Sequence, residues 1–255
     1  MSLELCQASE ELKEKYRFRL PHSEWFADYL WPGLLISGKN IADLENLEFG
    51  EDDVVIATYP KSGTTWASEV ISAIAYEGNT DVLKKMRMDK RVIWLEQDHS
   101  CSVMRVRLQR SEKVEGVKPK KNIYFTHVPI ELLPRSVLSG KCKFIYVARN
   151  PKDQCVSFYH YHRMARFLGL QTETTFDEFF RLFCTGDIYN GNWFEHVLGY
   201  WKFVQINPKA KFITFEDMKA DLIGMMPDIE NFVGVPLSED VRKKVVDHCS
   251  FGSMK

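Results

Sequence analysis

The sequence predicts a single α/β domain, residues 1–255, in which helices cover both faces of a parallel β-sheet and a phosphate-binding loop follows the first strand. Short apolar runs alternate with longer segments of helical periodicity, which is the order typical of parallel sheets. The 255 residues suit one large domain, and no repeat or low-complexity linker divides them. A hydrophobic content of 45% predicts a sizeable core.

The first predicted strand covers residues 54–59, an apolar run bounded by aspartates and a proline. Because the run does not alternate with polar residues, we expect it to be buried on both faces. From Thr64 to Glu77, apolar residues recur at the spacing of one helical face. The segment 58–66 therefore lies where a strand–helix unit places its ligand.

Later segments repeat this alternation. Strands are predicted at 122–127 and 143–148, and helices at 151–164, 175–184 and 193–206. Residues 211–218 are interpreted as a strand that leads into a helix, and 237–246 as a helix capped by Ser238. The basic, irregular stretch 78–121 is interpreted as a candidate loop or lid.

Charge and composition restrict the class of protein. The 34 Lys and Arg residues nearly balance 35 Asp and Glu residues, so nothing favours nucleic-acid or membrane-surface binding. The chain shows no apolar signal segment and no stretch near the ~18 apolar residues that span a bilayer. Six scattered cysteines without C-x-x-C pairs are typical of a reducing compartment. We therefore expect a cytoplasmic protein.

The nonamer TYPKSGTTW at 58–66 has the chemistry of an anion site. Backbone N–H groups at a helix start attract phosphate, Lys61 adds a charge, and Gly63 permits a positive φ or close approach. Three hydroxyl side chains add donors: Ser62, Thr64 and Thr65. Trp66 offers an aromatic face to a base. The order differs from a Walker A loop, in which glycine precedes the lysine, and a solvated Lys-Ser-Gly turn remains the alternative explanation.

Two further candidates follow predicted strands. Arg149 comes directly after the strand at 143–148 and suits a phosphate, and Ser157 lies about two helical turns further on. His127 ends the strand at 122–127, where a neutral imidazole can accept a proton from a hydroxyl. Each residue also has a purely structural alternative. Arg149 could form a salt bridge at the helix start, Ser157 could occupy a helix position without a function, and His127 could be a hydrogen-bonded core histidine. The histidines show no metal-ligand spacing, so no metal is predicted.

Taken together, these motifs resemble the cytosolic sulfotransferase family, which uses 3′-phosphoadenosine-5′-phosphosulfate (PAPS) as sulfuryl donor. The resemblance rests on TYPKSGTTW at 58–66, FTHVP at 125–129 and ARNPKDQCVS at 148–157. It extends through FEDMKADL at 215–222 and VVDHCSFGSMK at 245–255, and so covers nearly the whole chain.

The resemblance implies a role for each candidate. Lys61 to Thr65 would hold the 5′-phosphosulfate, with Lys61 stabilising charge on the leaving oxygen and His127 acting as general base. Arg149 and Ser157 would bind the 3′-phosphate. The adenine contacts implied by the family are Trp66, Phe215, Cys249, Phe251 and Met254. The implied product is PAP, the desulfated nucleotide, and the reaction needs no metal.

Four departures from the family pattern bear on activity. Phe125 stands where many members have lysine, Phe215 replaces a common tyrosine, and Cys249 replaces a common threonine. The chain ends at Lys255, without the family's C-terminal phosphate-binding and dimerisation segment. An inactive truncated form or a PAP-binding pseudoenzyme is therefore the alternative to an active sulfotransferase. A nucleotide kinase is disfavoured because the Walker A order is absent.

The resemblance implies a small-molecule acceptor with a hydroxyl or amine, and a homodimer in a full-length form, although we expect these 255 residues to be monomeric. Three apolar clusters are candidates for an acceptor pocket that would favour aromatic or steroid-like compounds: 25–26, 29–31 and 93–95. Ordinary core packing is the alternative interpretation of these clusters.

Overall fold

A five-stranded parallel sheet and an antiparallel hairpin form the strands of the computed structural model, which describes residues 9–18, 23–33, 35–97, 117–165, 174–250 and 252–253. The strands are β1 (Ser23–Phe26), β2 (Tyr29–Pro32), β3 (Asp53–Thr58), β4 (Val92–Trp94), β5 (Asn122–Thr126), β6 (Lys143–Ala148) and β7 (Ala210–Thr214). β1 and β2 form the hairpin, and the other five form the sheet.

The helices within these ranges are α1 (Glu10–Phe18), α2 (Gly38–Leu44), α3 (Thr64–Ala75), α4 (Thr80–Lys85), α5 (Arg135–Leu138), α6 (Pro151–Met164), α7 (Phe176–Thr185), α8 (Trp193–Ile206), α9 (Phe215–Ala220), α10 (Leu222–Val233) and α11 (Glu239–His248). Short 3₁₀ turns cover Met88–Lys90 and Ile130–Leu132. In the described part of the chain, none of the helices has the length and apolar character needed to cross a membrane.

The sheet order is β4-β5-β3-β6-β7, so the first strand of the sheet in the sequence lies at its centre. β3 pairs in parallel with β5 on one side and with β6 on the other. The strands that follow β3 in the sequence are thus added first on one side of it, as β4 and β5, and then on the other side, as β6 and β7. In open α/β sheets, a crevice for ligands forms at the carboxyl ends of the strands at such a switch point.

Alternate residues of the strands enter two separate cores. Val54 and Ile56 of β3 face a core that includes α3, α10 and α11, whereas Val55 and Ala57 face the side of α2, α8 and the hairpin. All six residues of β3 are buried. The uniform apolar run of this strand follows from its position between two helical layers, where neither face meets water.

The predicted fold class is confirmed, and the predicted strands and helices from 122 onward lie within two residues of those observed. The predicted N-cap is also present: the Ser238 hydroxyl accepts a hydrogen bond from the backbone N–H of Val241. The stretch 78–121 is not uniformly irregular, because it includes α4, a 3₁₀ turn and β4, while residues 98–116 lie outside the described ranges.

The hairpin was not predicted, and its turn explains why. Ala27 and Asp28 both have positive φ, 51° and 64°, as the common two-residue hairpin turns require. The sequence signal of such turns is a pair such as Asn-Gly, Asp-Gly or Gly-Gly. Here the Phe26-Ala27-Asp28-Tyr29 segment has an aspartate but no glycine, so the local signal for the turn is weak.

We expect the Ile56→Ala variant to destabilise the protein by about 2–5 kcal/mol, because it opens a cavity at a fully buried site in the central strand. Ile206, 82% exposed at the end of α8, is a matched control. Its replacement by alanine should change the free energy of unfolding by less than about 0.5 kcal/mol. Urea denaturation of both variants measures the difference, and equal effects would contradict the two-sided burial of β3.

Candidate active site at the carboxyl edge of the sheet

The three predicted motifs follow three adjacent strands. His127 comes directly after β5, the loop 59–63 after β3, and Arg149 after β6. Phe215 follows β7 at the same edge. These residues meet at a cavity of about 750 Å³. Its lining comprises Pro32, Leu35, Ile36, Pro60, Lys61, Gly63, Thr64, Thr65, Trp66, Ser68, Met88, Trp94, Phe125, His127, Arg149, Ser157, Phe158, Tyr161, Tyr189, Asn190 and Phe215.

The loop after β3 turns sharply into α3. Lys61 has φ +72° and Gly63, the residue before the helix, has φ +97°. A Cβ atom on Gly63 would lie 2.6 Å from Cδ2 of Phe215, so close packing also requires glycine. The first N–H groups of a helix have no intrahelical acceptors, and Thr64 and Thr65 in this turn line the cavity. The helix start is therefore suited to an anion.

Ser62 occupies a different position from the other loop hydroxyls. Its side chain is fully buried and is absent from the cavity lining. The hydroxyl donates to the carbonyl of Tyr59 and accepts a hydrogen bond from Gln154. The sequence prediction placed Ser62 among the ligand donors, whereas this side chain instead stabilises the turn from the inside.

Two cationic side chains among the described residues line the cavity. The Lys61 ammonium lies 4.6 Å from the centre of the Tyr161 ring, and the Arg149 guanidinium lies 4.6 Å from the centre of the Phe215 ring. Burial, with a further contribution from the charge of Arg149, lowers the pKa of Lys61 from its usual value. Nε of Arg149 is buried without a hydrogen-bond partner. A guanidinium with an unused buried donor beside a cavity fits an anionic group.

The His127 ring is held in one tautomer by its neighbour strand. Nδ1 lies 2.9 Å from the carbonyl oxygen of Thr58, which can only accept, so Nδ1 carries the proton. Nε2 is then unprotonated and available as a base. Burial lowers the pKa of His127 to about 4, with a smaller effect from the charge of Lys61. The imidazole is therefore neutral at physiological pH.

Buried residues that the sequence reasoning missed fix the backbone at His127. Glu96 is fully buried and accepts from the His127 backbone N–H at 2.6 Å and from the Thr126 hydroxyl at 2.8 Å. Asn190 Nδ2 and His196 Nε2 each donate to the His127 carbonyl at 3.2 Å. Burial raises the pKa of Glu96 to about 6. No local sequence pattern could reveal these contacts, which join residues 30 to 69 positions apart.

An aromatic pair lies beside the imidazole. Trp94 and Phe125 are stacked with ring centres 5.5 Å apart, and each contacts His127 edge-on at 5.7 and 5.6 Å. Of the predicted acceptor clusters at 25–26, 29–31 and 93–95, only Trp94 lines the cavity. Leu30, Trp31, Ile93 and Leu95 are buried, in agreement with the alternative of core packing.

The predicted adenine contacts are only partly in the described residues. Trp66 and Phe215 line the cavity and contact each other edge-on at 5.4 Å. Cys249 is fully buried and does not line the cavity, but its carbonyl accepts a hydrogen bond from Trp66 Nε1 at 2.8 Å. Its contribution is thus to orient the indole. Phe251 and Met254 lie outside the described residues.

The remaining predicted site residue is Ser157. Ser157 lines the cavity from α6, two turns after the start of this helix beside Arg149. Within the described ranges, no group of three or more His, Cys, Asp or Glu side chains is arranged to hold a metal ion. Independently of this, the Lys61 and Arg149 side chains in the lining carry the positive charge that suits a phosphorylated ligand.

Comparisons with known proteins bear on the family of the chain. Residues 51–255 match the family model described as "Sulfotransferase domain". The chain is 34% identical to sulfotransferase 1A1 of Bos taurus over 99% of its length and 79% of that protein. It is 36% identical to sulfotransferase 1C2 of Oryctolagus cuniculus over 85% of its length and 70% of that protein.

Solved structures show the same architecture. Mouse sulfotransferase SULT7A1, crystallised with PAP, has a TM-score of 0.72 and 27% identity over 91% of this chain and 75% of its own. Retinol dehydratase in complex with retinol and PAP has a TM-score of 0.75 and 25% identity over 98% of this chain and 80% of its own.

We expect Gly63→Ala to destabilise the protein by about 1–3 kcal/mol, because alanine is strained at φ +97° and its Cβ would collide with Phe215. Gly50 is the control, since a Cβ there meets no atom within 4 Å. Gly50→Ala should leave the free energy of unfolding nearly unchanged or slightly increased. Chemical denaturation distinguishes the two, and equal stability of both variants would contradict the close packing of the loop.

Proposed function

Since this chain belongs to the sulfotransferase family, we propose that it transfers a sulfuryl group from PAPS to a hydroxyl or amine of a small acceptor, with the residues assigned below. The observation that carries the assignment is the convergence of three motifs on one cavity. The loop after β3, His127 after β5 and Arg149 after β6 come from adjacent strands and meet at their carboxyl edge. This is where open parallel sheets bind nucleotides.

On the donor side, the start of α3 and Lys61 would hold the 5′-phosphosulfate, and Arg149 with Ser157 the 3′-phosphate. The buried, unpartnered Nε of Arg149 supports this fit. The adenine would lie against Trp66, whose orientation is fixed by its hydrogen bond to the Cys249 carbonyl. When bound, PAPS supplies the sulfuryl group.

On the acceptor side, His127 Nε2 would accept the proton of the attacking hydroxyl or amine. The hydrogen bond from Nδ1 to Thr58 keeps Nε2 free for this task. Lys61 would stabilise negative charge on the leaving oxygen. It lies beside the N-terminus of α3, which already favours an anion. Transfer of this kind depends on positioning and electrostatic stabilisation, as phosphoryl transfer does.

We propose a flat, apolar acceptor. The stacked pair Trp94 and Phe125 lies next to His127, and Leu35, Ile36 and Tyr189 extend the apolar lining. Phe125 places an aromatic ring where the family resemblance leads one to expect a lysine. A ring of an aromatic or steroid-like compound would stack here with its hydroxyl toward the imidazole.

We also propose that the protein works in the cytoplasm. Cys142, Cys155 and Cys249 are buried thiols without disulfide partners. Burial raises the pKa of each of these thiols to about 12, which keeps them protonated and unreactive. Unpaired thiols of this kind suit a reducing compartment.

We expect PAP to bind more tightly than AMP, which lacks only the 3′-phosphate, by about tenfold to a hundredfold, the strength of charged hydrogen bonds from Arg149. Isothermal titration calorimetry of both nucleotides measures the ratio. Arg149→Ala should remove the preference for PAP over AMP, and it should also lower the affinity for AMP by a smaller factor, because Arg149 Nη1 supports the turn through the Lys61 carbonyl. Equal affinity of the unaltered chain for both nucleotides would contradict the assignment of the 3′-phosphate site.

We expect His127→Ala to lower kcat by about 10²–10⁴-fold, since the general base is lost, while PAP affinity stays close to that of the unaltered protein. Turnover with a phenolic acceptor and calorimetry with PAP are the two measurements. Normal turnover in this variant would exclude His127 as the base. Absence of turnover in the unaltered chain that still binds PAP would instead indicate a nucleotide-binding protein without transferase activity.

The pH profile gives an independent check on the same residue. Because the pKa of His127 is lowered to about 4, the base form persists down to that pH, and the acid limb of turnover should not lie at the usual histidine value of 6.5. The same shift makes the neutral imidazole a stabilising contribution above pH 6.5 that is lost as pH falls toward 4. An acid limb at 6.5 or higher would show that His127 is not the half-buried neutral base described here.

A further inference from the structure

A buried glutamine joins helix α6 to the loop after β3. Gln154 is fully buried, and its Nε2 lies 2.7 Å from the carbonyl of Pro60, 2.8 Å from the hydroxyl of Ser62 and 3.2 Å from the carbonyl of Tyr59. Because the Ser62 hydroxyl donates to the Tyr59 carbonyl, it accepts from the amide. One side chain therefore contacts three residues of the phosphate-binding turn, and these residues lie on both sides of Lys61.

The orientation of this amide is fixed by Trp193 at the start of α8. Trp193 Nε1 lies 2.8 Å from Oε1 of Gln154. An indole N–H can only donate, so the atom that faces it must be the amide oxygen. The NH₂ group must then point toward the loop. The contacts of both amide atoms, Oε1 with an indole N–H and Nε2 with backbone carbonyls, give the same assignment of donor and acceptor.

The loop needs such support at Lys61. Its φ of +72° is unfavourable for any residue with a Cβ, and such conformations persist only where the surroundings fix them. The φ and ψ of Lys61 relate two peptide planes. The carbonyl of the preceding plane, at Pro60, accepts from Gln154, and the carbonyl of the following plane, at Lys61, accepts from Arg149 Nη1 at 3.1 Å. Both planes are thus held by α6 and the turn that leads into it.

We propose that Gln154 is a positioning residue, which acts through the loop to hold Lys61 in its left-handed conformation and to set the distance between the two anion-binding regions. Gln154 can set this distance because Ser157, at the proposed 3′-phosphate site, is one turn further along the same helix. Burial of an amide is unfavourable unless its groups are hydrogen-bonded, and every contact of Gln154 serves the loop or its own orientation. This inference rests on the proposed PAPS-dependent function.

The test compares Gln154→Leu and Trp193→Phe with Ser136→Ala. Ser136 is a matched control, since its buried hydroxyl also bonds backbone groups, the Leu47 carbonyl and the Phe49 N–H, and lies outside the cavity lining. The measurements are thermal unfolding, PAP affinity by calorimetry, and the KM values for donor and acceptor. A purely structural role would lower the melting temperature without changing the affinity for PAP.

We expect Gln154→Leu to weaken PAP binding at least tenfold and to raise the KM for PAPS, with the KM for the acceptor unchanged. Trp193→Phe removes only the donor that orients the amide, so it should weaken PAP binding by a smaller factor, about three- to tenfold. Ser136→Ala should bind PAP within twofold of the unaltered protein. The double variant of Gln154 and Trp193 should bind no more weakly than Gln154→Leu alone, because both act through one amide.

PAP affinity of Gln154→Leu within twofold of the unaltered chain would overturn the inference and leave the proposed function intact. If that variant does not fold, Trp193→Phe decides by the same criterion. Fully additive losses in the double variant would also overturn it. An unaltered chain that binds no PAP would overturn the proposed function together with this inference.

Discussion

The structure depends on one tight turn at the end of the central strand. Between Thr58 and Thr64 the chain must leave a buried strand and enter a buried helix, which requires left-handed backbone at Lys61 and Gly63. Helix α6 and Arg149 hold the carbonyls of this turn, and Phe215 packs against the glycine. The Thr58 hydroxyl lies 2.7 Å from that of Thr64 and 3.0 Å from His127 Nδ1. The turn thereby places the anion site and the base relative to each other.

The sequence was informative wherever the determinants are local. Continuous apolar runs indicated strands buried on both faces, and the residue after each run could be assigned to the carboxyl edge of the sheet. That is why Lys61, His127 and Arg149 could be predicted to share a site. The fold class follows from the same alternation.

The rest depends on contacts between distant residues. Glu96 bonds His127 across 31 positions, and Trp193 bonds Gln154 across 39, without any spacing that marks them. Strand β4 has only three residues, too few to show a period. Ser62 shows a further limit. Its hydroxyl was correctly identified as a hydrogen-bonding group, but the direction in which it points is decided by Gln154, far away in the sequence.

Helix α6 presents several functions from one rigid element. Over three successive turns it carries Gln154 toward the loop, Ser157 toward the cavity and Tyr161 against the Lys61 ammonium. Because backbone hydrogen bonds connect its turns, we expect this helix to move as one unit. A molecule that displaces Tyr161 on entering the cavity would therefore also act on the turn that receives the nucleotide. Any coupling of this kind through α6 must be reciprocal: what binding in one half of the cavity does to the affinity of the other half applies equally in the opposite direction.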